Sequence, residues 1–448
     1  VRYRLFIIAG LTAIIALLAE RTSALSLDEA IERAQRDNEL LRAAAKSVDA
    51  ARGQILESKS GFLPSVRLSE QVVRSDEAVS AFGFRLNQGE FRAADFAVDR
   101  LNRPGARSNY QTRLEVLQPL FSGGRALHDY RQARAGVRLA EAALDQERAE
   151  IRLHTAVAYW DLVLAHAALE TARESAAFAR ADAEGVKARY AQGMALDAER
   201  LAAQIRALDA DVQTRTSADG IAEASEALSL VMGRAVADAI EPTSELCGRA
   251  SVPPVGDLVE RALRLRADVQ VAEHGLEMAR HGMGKARAAF WPQLNAFASG
   301  AMQTDAPLER QGTSWTVGAV VSWDLPAAAT IGRMRRAAAD RARLQSQRAF
   351  LRASIERQVY AAHRNIEAAT ARAEVRKEVV ELARERRRIA QLQYGEQIVT
   401  ATELLDAGTA LAEARLSQLQ AERDACVAWA KLEWATGGVL ERQTGELK

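Results

Sequence analysis

The chain repeats itself, and that repeat restricts its fold more than any single motif. Glu32-Arg33-Ala34 recurs as Glu260-Arg261-Ala262, and Phe62-Leu63-Pro64 is answered by Phe290-Trp291-Pro292, both at an offset of about 228 positions. Further on, Tyr190 pairs with Tyr394, Leu201 with Leu405 and Gly233 with Gly437, at an offset of about 204. The first copy therefore carries roughly 24 extra residues between Pro64 and Pro119. Any acceptable fold has to be built twice from one plan.

Each half reads as helix, strand, loop, strand, very long helix, sharp turn, helix. Leu27, Ile31, Ala34, Leu41, Ala45, Val48 and Ile55 recur at spacings of three, four and seven, the seam of a helix packed in coiled-coil fashion, which Gly61 and Pro64 stop. From Gly124 to Tyr190 there is no proline, and a helix of that length would run about 100 Å, far deeper than an ordinary domain. A turn at Gln192-Gly193-Met194 sends the chain back through Leu201, Ile205, Leu208 and Val212 towards Leu228 and Val231. In the second half Leu351, Ile355, Val359, Ala362 and Ile366 mark the long helix, and Leu404, Leu411 and Leu419 its return. Composition agrees: 27 Gly and only 9 Pro in 448 residues leave few breaks, and 5% aromatics suit close helix packing better than a thick globular core.

Before the first repeat, Arg2 and Arg4 precede an apolar run from Leu5 to Ala19 and a polar stretch ending in Thr22-Ser23-Ala24, the plan of a secretory signal peptide cut after Ala24. As a helix that run spans about 22 Å, short of the roughly 30 Å of a bilayer core. No later stretch reads as a transmembrane helix. An exported chain of this kind is free in the periplasm, secreted, or built into the outer membrane with strands. The boundaries expected are a signal peptide over 1–24, a first repeat over 25–233, a linker over 234–256, a second repeat over 257–437 and a tail over 438–448. Strands are expected at about 64–74, 109–118, 292–302 and 314–323, and the long helical hairpins at 124–232 and 329–436.

The strands are unusual. Trp315, Val317, Ala319, Val321 and Trp323 alternate with Thr316, Gly318, Val320 and Ser322, an apolar face with aromatics at both ends, which is a membrane-strand pattern. Leu294, Ala296, Ala298, Gly300 and Met302 alternate with polar residues, with Phe297 on the polar side. Val66, Leu68 and Val72 do likewise, with Glu70 on the apolar side. Leu114 and Val116 follow Tyr110 and Thr112 opposite Gln111, Arg113 and Glu115. Four strands cannot close on themselves, and an open edge in lipid leaves backbone groups unsatisfied, so such a chain must oligomerise. Three copies would give twelve strands.

With that plan in place the sequence resembles the TolC family of outer-membrane efflux proteins over essentially all of its mature length. The resemblance rests on Leu27-Asp28-Glu29-Ala30, on Phe62-Leu63-Pro64-Ser65 and Phe290-Trp291-Pro292-Gln293 ahead of strands, and on Gln118-Pro119-Leu120-Phe121-Ser122-Gly123-Gly124. It rests further on Tyr190-Ala191-Gln192-Gly193 at the first hairpin turn and Tyr394 with Leu404-Leu405-Asp406-Ala407 at the second. It implies a mainly α fold with a membrane β part: a homotrimer whose twelve-stranded outer-membrane barrel continues into a long coiled-coil barrel in the periplasm of a Gram-negative cell. It also implies a periplasmic adaptor (membrane fusion protein) and an inner-membrane pump of RND, ABC or MFS type as partners, with outer-membrane lipid around the barrel.

The resemblance also assigns residues. Glu403 and Asp406 match an acidic pair that narrows the periplasmic entrance, and three copies would set two acidic rings that favour cations. Read without it, they are solvated charges one helical turn apart. Glu403 stands where the family has Asp, and Gln397 where the turn Gly is usual. Gln192, Gly193, Met194, Glu396 and Gln397 would present hairpin tips to the adaptor. Leu114, Val116, Trp315, Val317, Val321 and Trp323 are the expected lipid-facing residues. Residues 75–108, rich in Phe, are expected as a long extracellular loop.

Chemistry is absent from the sequence. With 60 Lys+Arg against 59 Asp+Glu, no charge bias announces a nucleic-acid partner. Six histidines form no H-E-x-x-H, Gly282-Met283-Gly284-Lys285 lacks the rest of a phosphate loop, and no G-x-S-x-G occurs, so no catalytic residue, cofactor or metal is assigned. Cys247 and Cys426 are either a disulfide or two buried thiols. The function expected is an exit duct for small molecules in a tripartite efflux system. Type I protein secretion and heavy-metal efflux are the neighbouring readings, and a soluble periplasmic coiled-coil protein is the reading from another class. Only six Met, and no His cluster, favour organic compounds over metals.

Overall fold

The computed structural model describes residues 23–234, 240–244, 246, 252–306, 312–325 and 328–440. Residues 1–22 of the expected signal peptide, just under half of the expected linker and residues 441–448 of the tail lie outside them. Two compact units divide the chain, one of residues 1–46, 141–270 and 349–448, the other of 47–140 and 271–348.

The second unit holds the sheet. Strands β2 (Ser65–Ser75), β3 (Arg107–Phe121), β5 (Gln293–Thr304) and β6 (Gly312–Ser322) form an antiparallel meander in the order β2-β3-β5-β6. Its register puts like residues on one face: Val66, Val116, Ala298 and Val317 make one row, and Leu68, Leu114, Gly300 and Trp315 the next. On the other face lie Arg67 opposite Glu115, Arg113 opposite Ser69, and Ser299 opposite Thr316. Phe297, the apolar exception on that face, sits opposite Gly318, where a Cβ would come within 2.8 Å of its ring. The glycine is the space the ring occupies.

Helices enter this unit at one end of the sheet. α2 (Glu39–Lys59) leads into β2, α8 (Ala267–Ala288) into β5, and α5 (Arg125–Ala191) and α9 (Ala328–Gly395) leave from β3 and β6. At β3's exit Gly123 takes a positive φ of 64°, and a Cβ there would lie 2.5 Å from the Ala288 carbonyl, so no other residue fits. Gly282 and Gly284, which resemble a phosphate loop in sequence, lie inside α8, and Gly284 accommodates the His128 ring.

At the opposite end, residues 75–108 are not a plain loop. They fold into α3 (Ala78–Asn87), a 3-10 turn at Ala93–Phe96 and α4 (Val98–Asn102). Gln88, 2% exposed, ties them to the sheet: its side-chain NH2 donates to the Ser108 and Thr304 carbonyls and to Asn109. Phe82, Phe91 and Phe96 stack edge to face.

The first unit is helical. β1 (Ser23–Leu25) pairs in parallel with β4 (Ile240–Pro242), so this part of the expected linker is docked rather than free. Buried Tyr159 fastens both strands, donating to the Leu25 carbonyl at 2.9 Å and accepting from the Ser244 N–H at 3.1 Å. The single helix expected over 27–55 is broken at Asn38 into α1 (Leu27–Asp37) and α2. Asn38 Oδ1 accepts the Leu40 N–H while its Nδ2 donates to the Val231 carbonyl at 2.7 Å, and these bonds outweigh one more helical turn. The second repeat breaks at the matching place between α7 (Val255–Leu265) and α8, where Arg266 reaches the Ala435 carbonyl. α6 (Asp197–Val231) and α10 (Ala401–Ala435) are the return helices, and Gly233 and Gly437 follow them at φ 69° and 82°. A Cβ at Gly233 would strike the Asp37 carbonyl and one at Gly437 the Arg266 N–H, so each return helix ends against the break of its own repeat.

Ile355, Val359 and Ile366 are buried as expected, with Leu258, Trp429 and Leu432. By contrast Leu201, Ile205, Leu208 and Val212 form an exposed apolar stripe on α6. Cys426 is buried and disulfide-bonded. Among the described residues no helix is long and apolar enough to cross a membrane, which says nothing of strands.

Candidate functional site

Two places concentrate the residues singled out by sequence. The first is the apolar face of the sheet. Leu114 and Trp315 share one row, Val116 and Val317 another, and Val321 stands opposite Leu294. Trp315 is 80% exposed and Val317 and Val321 each 69%, values that water does not favour for a contiguous apolar surface. Trp323 follows β6, and its indole N–H donates to the Phe290 carbonyl at 3.2 Å. Glu70, a charge on this face, pairs with Thr112 across the strands, and Arg74 follows on the same face at the end of β2 opposite Ser108.

The second is the pair of hairpin turns in the helical unit, which turn alike. The Gly193 N–H donates to the Tyr190 carbonyl and the Met194 N–H to Arg189; the Gln397 N–H donates to Tyr394 and the Ile398 N–H to Gln393. Gly193 has φ 72° and Gln397 φ 62°, so the glutamine occupies a left-handed position that its equivalent fills with glycine. The turns are tied together. Arg189 donates to the Tyr394 and Gly395 carbonyls and stacks 4.1 Å from the Tyr394 ring, and Gln397 Nε2 lies 3.6 Å from Met194 Sδ. Gln192, Gly193, Met194, Glu396 and Gln397 are thus one exposed cluster in part held by Arg189.

Behind it stand the two acids. Thr400 caps α10, its Oγ1 accepting the Glu403 N–H at 3.4 Å, and the Glu403 side chain is exposed. Asp406 accepts from Arg206 of α6 at 2.5 Å, and the same guanidinium reaches Thr409 and the Leu405 carbonyl. Arg206 is the residue that sequence reading missed. It lies two hundred positions from Asp406, and only the repeat's pairing of α6 with α10 could have pointed to it. Deeper, Arg387 stacks on Phe178 and pairs with Asp182 at 3.4 Å; both side chains are 11% exposed. Burial pushes the Asp182 carboxyl above the usual carboxylate range, and Arg387 pulls it back only in part. A cavity of about 790 Å³ lies beside them, walled by Phe178, Asp182, Ile205, Arg206, Arg387 and Leu405 among others. No group of three or more metal-ligating side chains occurs among the described residues.

A sheet with one apolar face and paired helical hairpins over a duplicated plan fit the class of outer-membrane export channels. The family model described as outer membrane efflux protein matches residues 30–234 and 258–438, and the chain belongs to that family. It is an outer-membrane efflux channel of tripartite efflux systems with a periplasmic extension, a transport protein and not an enzyme, and the family implies a trimeric channel. Solved structures share the fold at low identity. VceC of Vibrio cholerae matches at TM-score 0.76 and 19% identity, covering 93% of this chain and 97% of that one. CmeC of Campylobacter jejuni matches at 0.75 and 15%, covering 92% and 85%. The open-state MtrE channel of Neisseria gonorrhoeae matches at 0.74 and 18%, covering 92% and 89%. No curated protein matches by sequence.

Proposed function

We propose that three copies close a twelve-stranded barrel by pairing β6 of one with β2 of the next, and that the duct exports small organic molecules handed over by a periplasmic adaptor and an inner-membrane pump of RND, ABC or MFS type. The observation that carries this reading is the sheet. Its two edge strands are each 11 residues long, and both edges are open in the single chain. In lipid every open backbone group costs several kcal/mol, so edges of equal length call for each other. The exposed stripe of Leu201, Ile205, Leu208 and Val212 calls likewise for a helical neighbour. On this reading Leu114, Val116, Trp315, Val317, Val321 and Trp323 face lipid, and Arg67, Arg113 and Glu115 face a wet lumen.

Glu403 and Asp406 are proposed to line the periplasmic entrance as two acidic rings, and the tips Gln192, Gly193, Met194, Glu396 and Gln397 to meet the adaptor. The Arg206 bridge then neutralises the inner acid of each pair while the entrance is narrow. Membrane fractionation, heat-dissociation on a gel and planar-bilayer recording test the whole reading. A heat-dissociable outer-membrane trimer that conducts supports it; a soluble monomer overturns it. Loss of divalent block in Glu403→Ala/Asp406→Ala supports the entrance assignment, and unchanged block removes it.

A further inference from the structure

The segment between β2 and β3 encloses a cavity of about 320 Å³ whose charged wall is arginine-rich: Arg85, Arg100, Arg103 and Arg107 against Asp95 alone. Asp95, 7% exposed, is already engaged by Arg85 and by Arg100 at 3.7 Å, and it also accepts the Arg92 N–H. Arg107 pairs with Glu90, which stands off the wall, and its Nε donates to Gln88. Asp305 adds to the field at Arg107 without reaching the wall. Arg103 has no charged partner among the described residues. Two carboxylates in contact therefore serve four guanidinium groups gathered round one concavity, and like charges that close repel unless an anion joins them.

The remaining wall is apolar, with Phe82 and Phe91 stacked 4.8 Å apart. The place is defined by the strands. The long helices start at the other end of the sheet, and on the function proposed above they run into the periplasm, which puts this end outward. We propose that the cavity is a phosphate-binding site at the outer end of the channel, recognising a phosphate group through the guanidinium forks of Arg100 and Arg103, with Arg85 and Arg107 behind them. A dianion matches the excess of two positive charges that four guanidinium groups hold over two carboxylates, and arginine presents paired donors in the geometry that phosphate accepts. The rings of Phe82 and Phe91 suit a ligand whose phosphate carries an apolar body, as a phosphorylated lipid of the outer leaflet does. Free inorganic phosphate shares the same chemistry.

Calorimetry on the purified full-length protein in detergent tests the site with three probes at fixed ionic strength: inorganic phosphate, a phosphorylated lipid A, and the same lipid with its phosphates removed. Saturable binding, one site per chain, to either phosphate-bearing probe and not to the dephosphorylated lipid is expected. Arg100→Gln/Arg103→Gln should weaken it about tenfold or more. Binding of both probes assigns the site to phosphate from either source, whereas binding of the lipid alone assigns it to the membrane. Both variant positions lie outside the sheet, and an unchanged melting temperature shows that the variant folds. Arg103→Lys should recover part of the affinity. No saturable binding of either phosphate probe, or equal binding by the variant, overturns the proposal.

Discussion

Arg206 holds Asp406 at 2.5 Å, so of the two acids at the start of α10 only Glu403 is left without a salt-bridge partner among the described residues. The pair is half exposed, and such bridges contribute about 0–1 kcal/mol to stability. Its effect should therefore appear in conduction and not in folding. Arg206→Ala should leave the melting temperature nearly unchanged and strengthen block by divalent cations in planar bilayers. Weaker block would show that Asp406 does not face the permeating ion.

Gln397 at φ 62° carries a strain that glycine would not. A non-glycine residue in this region costs on the order of 1 kcal/mol. Gln397→Gly should raise stability by about that amount in denaturant unfolding, while Gly193→Ala at the equivalent turn should lower it. A destabilised Gln397→Gly would mean that the Met194 contact matters more than the backbone.

Val317 and Val321 stand on the apolar face of β6, and Val320, opposite Asn295, stands on the other. Arginine at either of the first two should cost about 2–4 kcal/mol of assembly if it lies near the midplane of the bilayer. Arginine at Val320 should be tolerated. The yield of heat-dissociable oligomer distinguishes them, and equal yields would reverse the assignment of faces.

Asp182 has its carboxyl raised by burial, so the folded chain holds that proton more tightly than the unfolded one. Stability from this group is fullest at acid pH and falls as pH rises through the raised folded value. Above the ordinary carboxylate range, stability of the native protein should therefore decline with pH by a component that Asp182→Asn lacks. Melting temperatures of the two proteins across a pH series give the comparison, and parallel curves would show that the carboxyl is not raised.

Cys426 is disulfide-bonded and the chain has two cysteines. Thiol titration of the unreduced, denatured protein should find no free thiol, and reduction should release both and lower the melting temperature. A free thiol before reduction would contradict the bond.

Much of this was legible because the relevant signals are local and periodic. Alternation runs from Trp315 to Trp323 where β6 lies, Pro64 and Pro292 stand just ahead of β2 and β5, and the offset joining Tyr190 to Tyr394 links two turns with matching hydrogen bonds. What escaped depends on partners distant in sequence. The break at Asn38 follows from a bond to the Val231 carbonyl, and Phe297 makes sense only beside Gly318. The helices within 78–102 are too short to show a period, and their anchor is one buried glutamine. Arg206 lies on a helix whose local signal is its apolar residues Leu201, Ile205, Leu208 and Val212, while its acidic partner stands two hundred positions away. Gln397 was legible as a departure, and its strained backbone is the physical content of that departure.

Gly233 against Asp37 and Gly437 against Arg266 make each repeat clasp its own first bend. The same lock therefore sits at the same place in both halves, while their hairpin turns differ, with Gly193 in the left-handed position of one and Gln397 in that of the other.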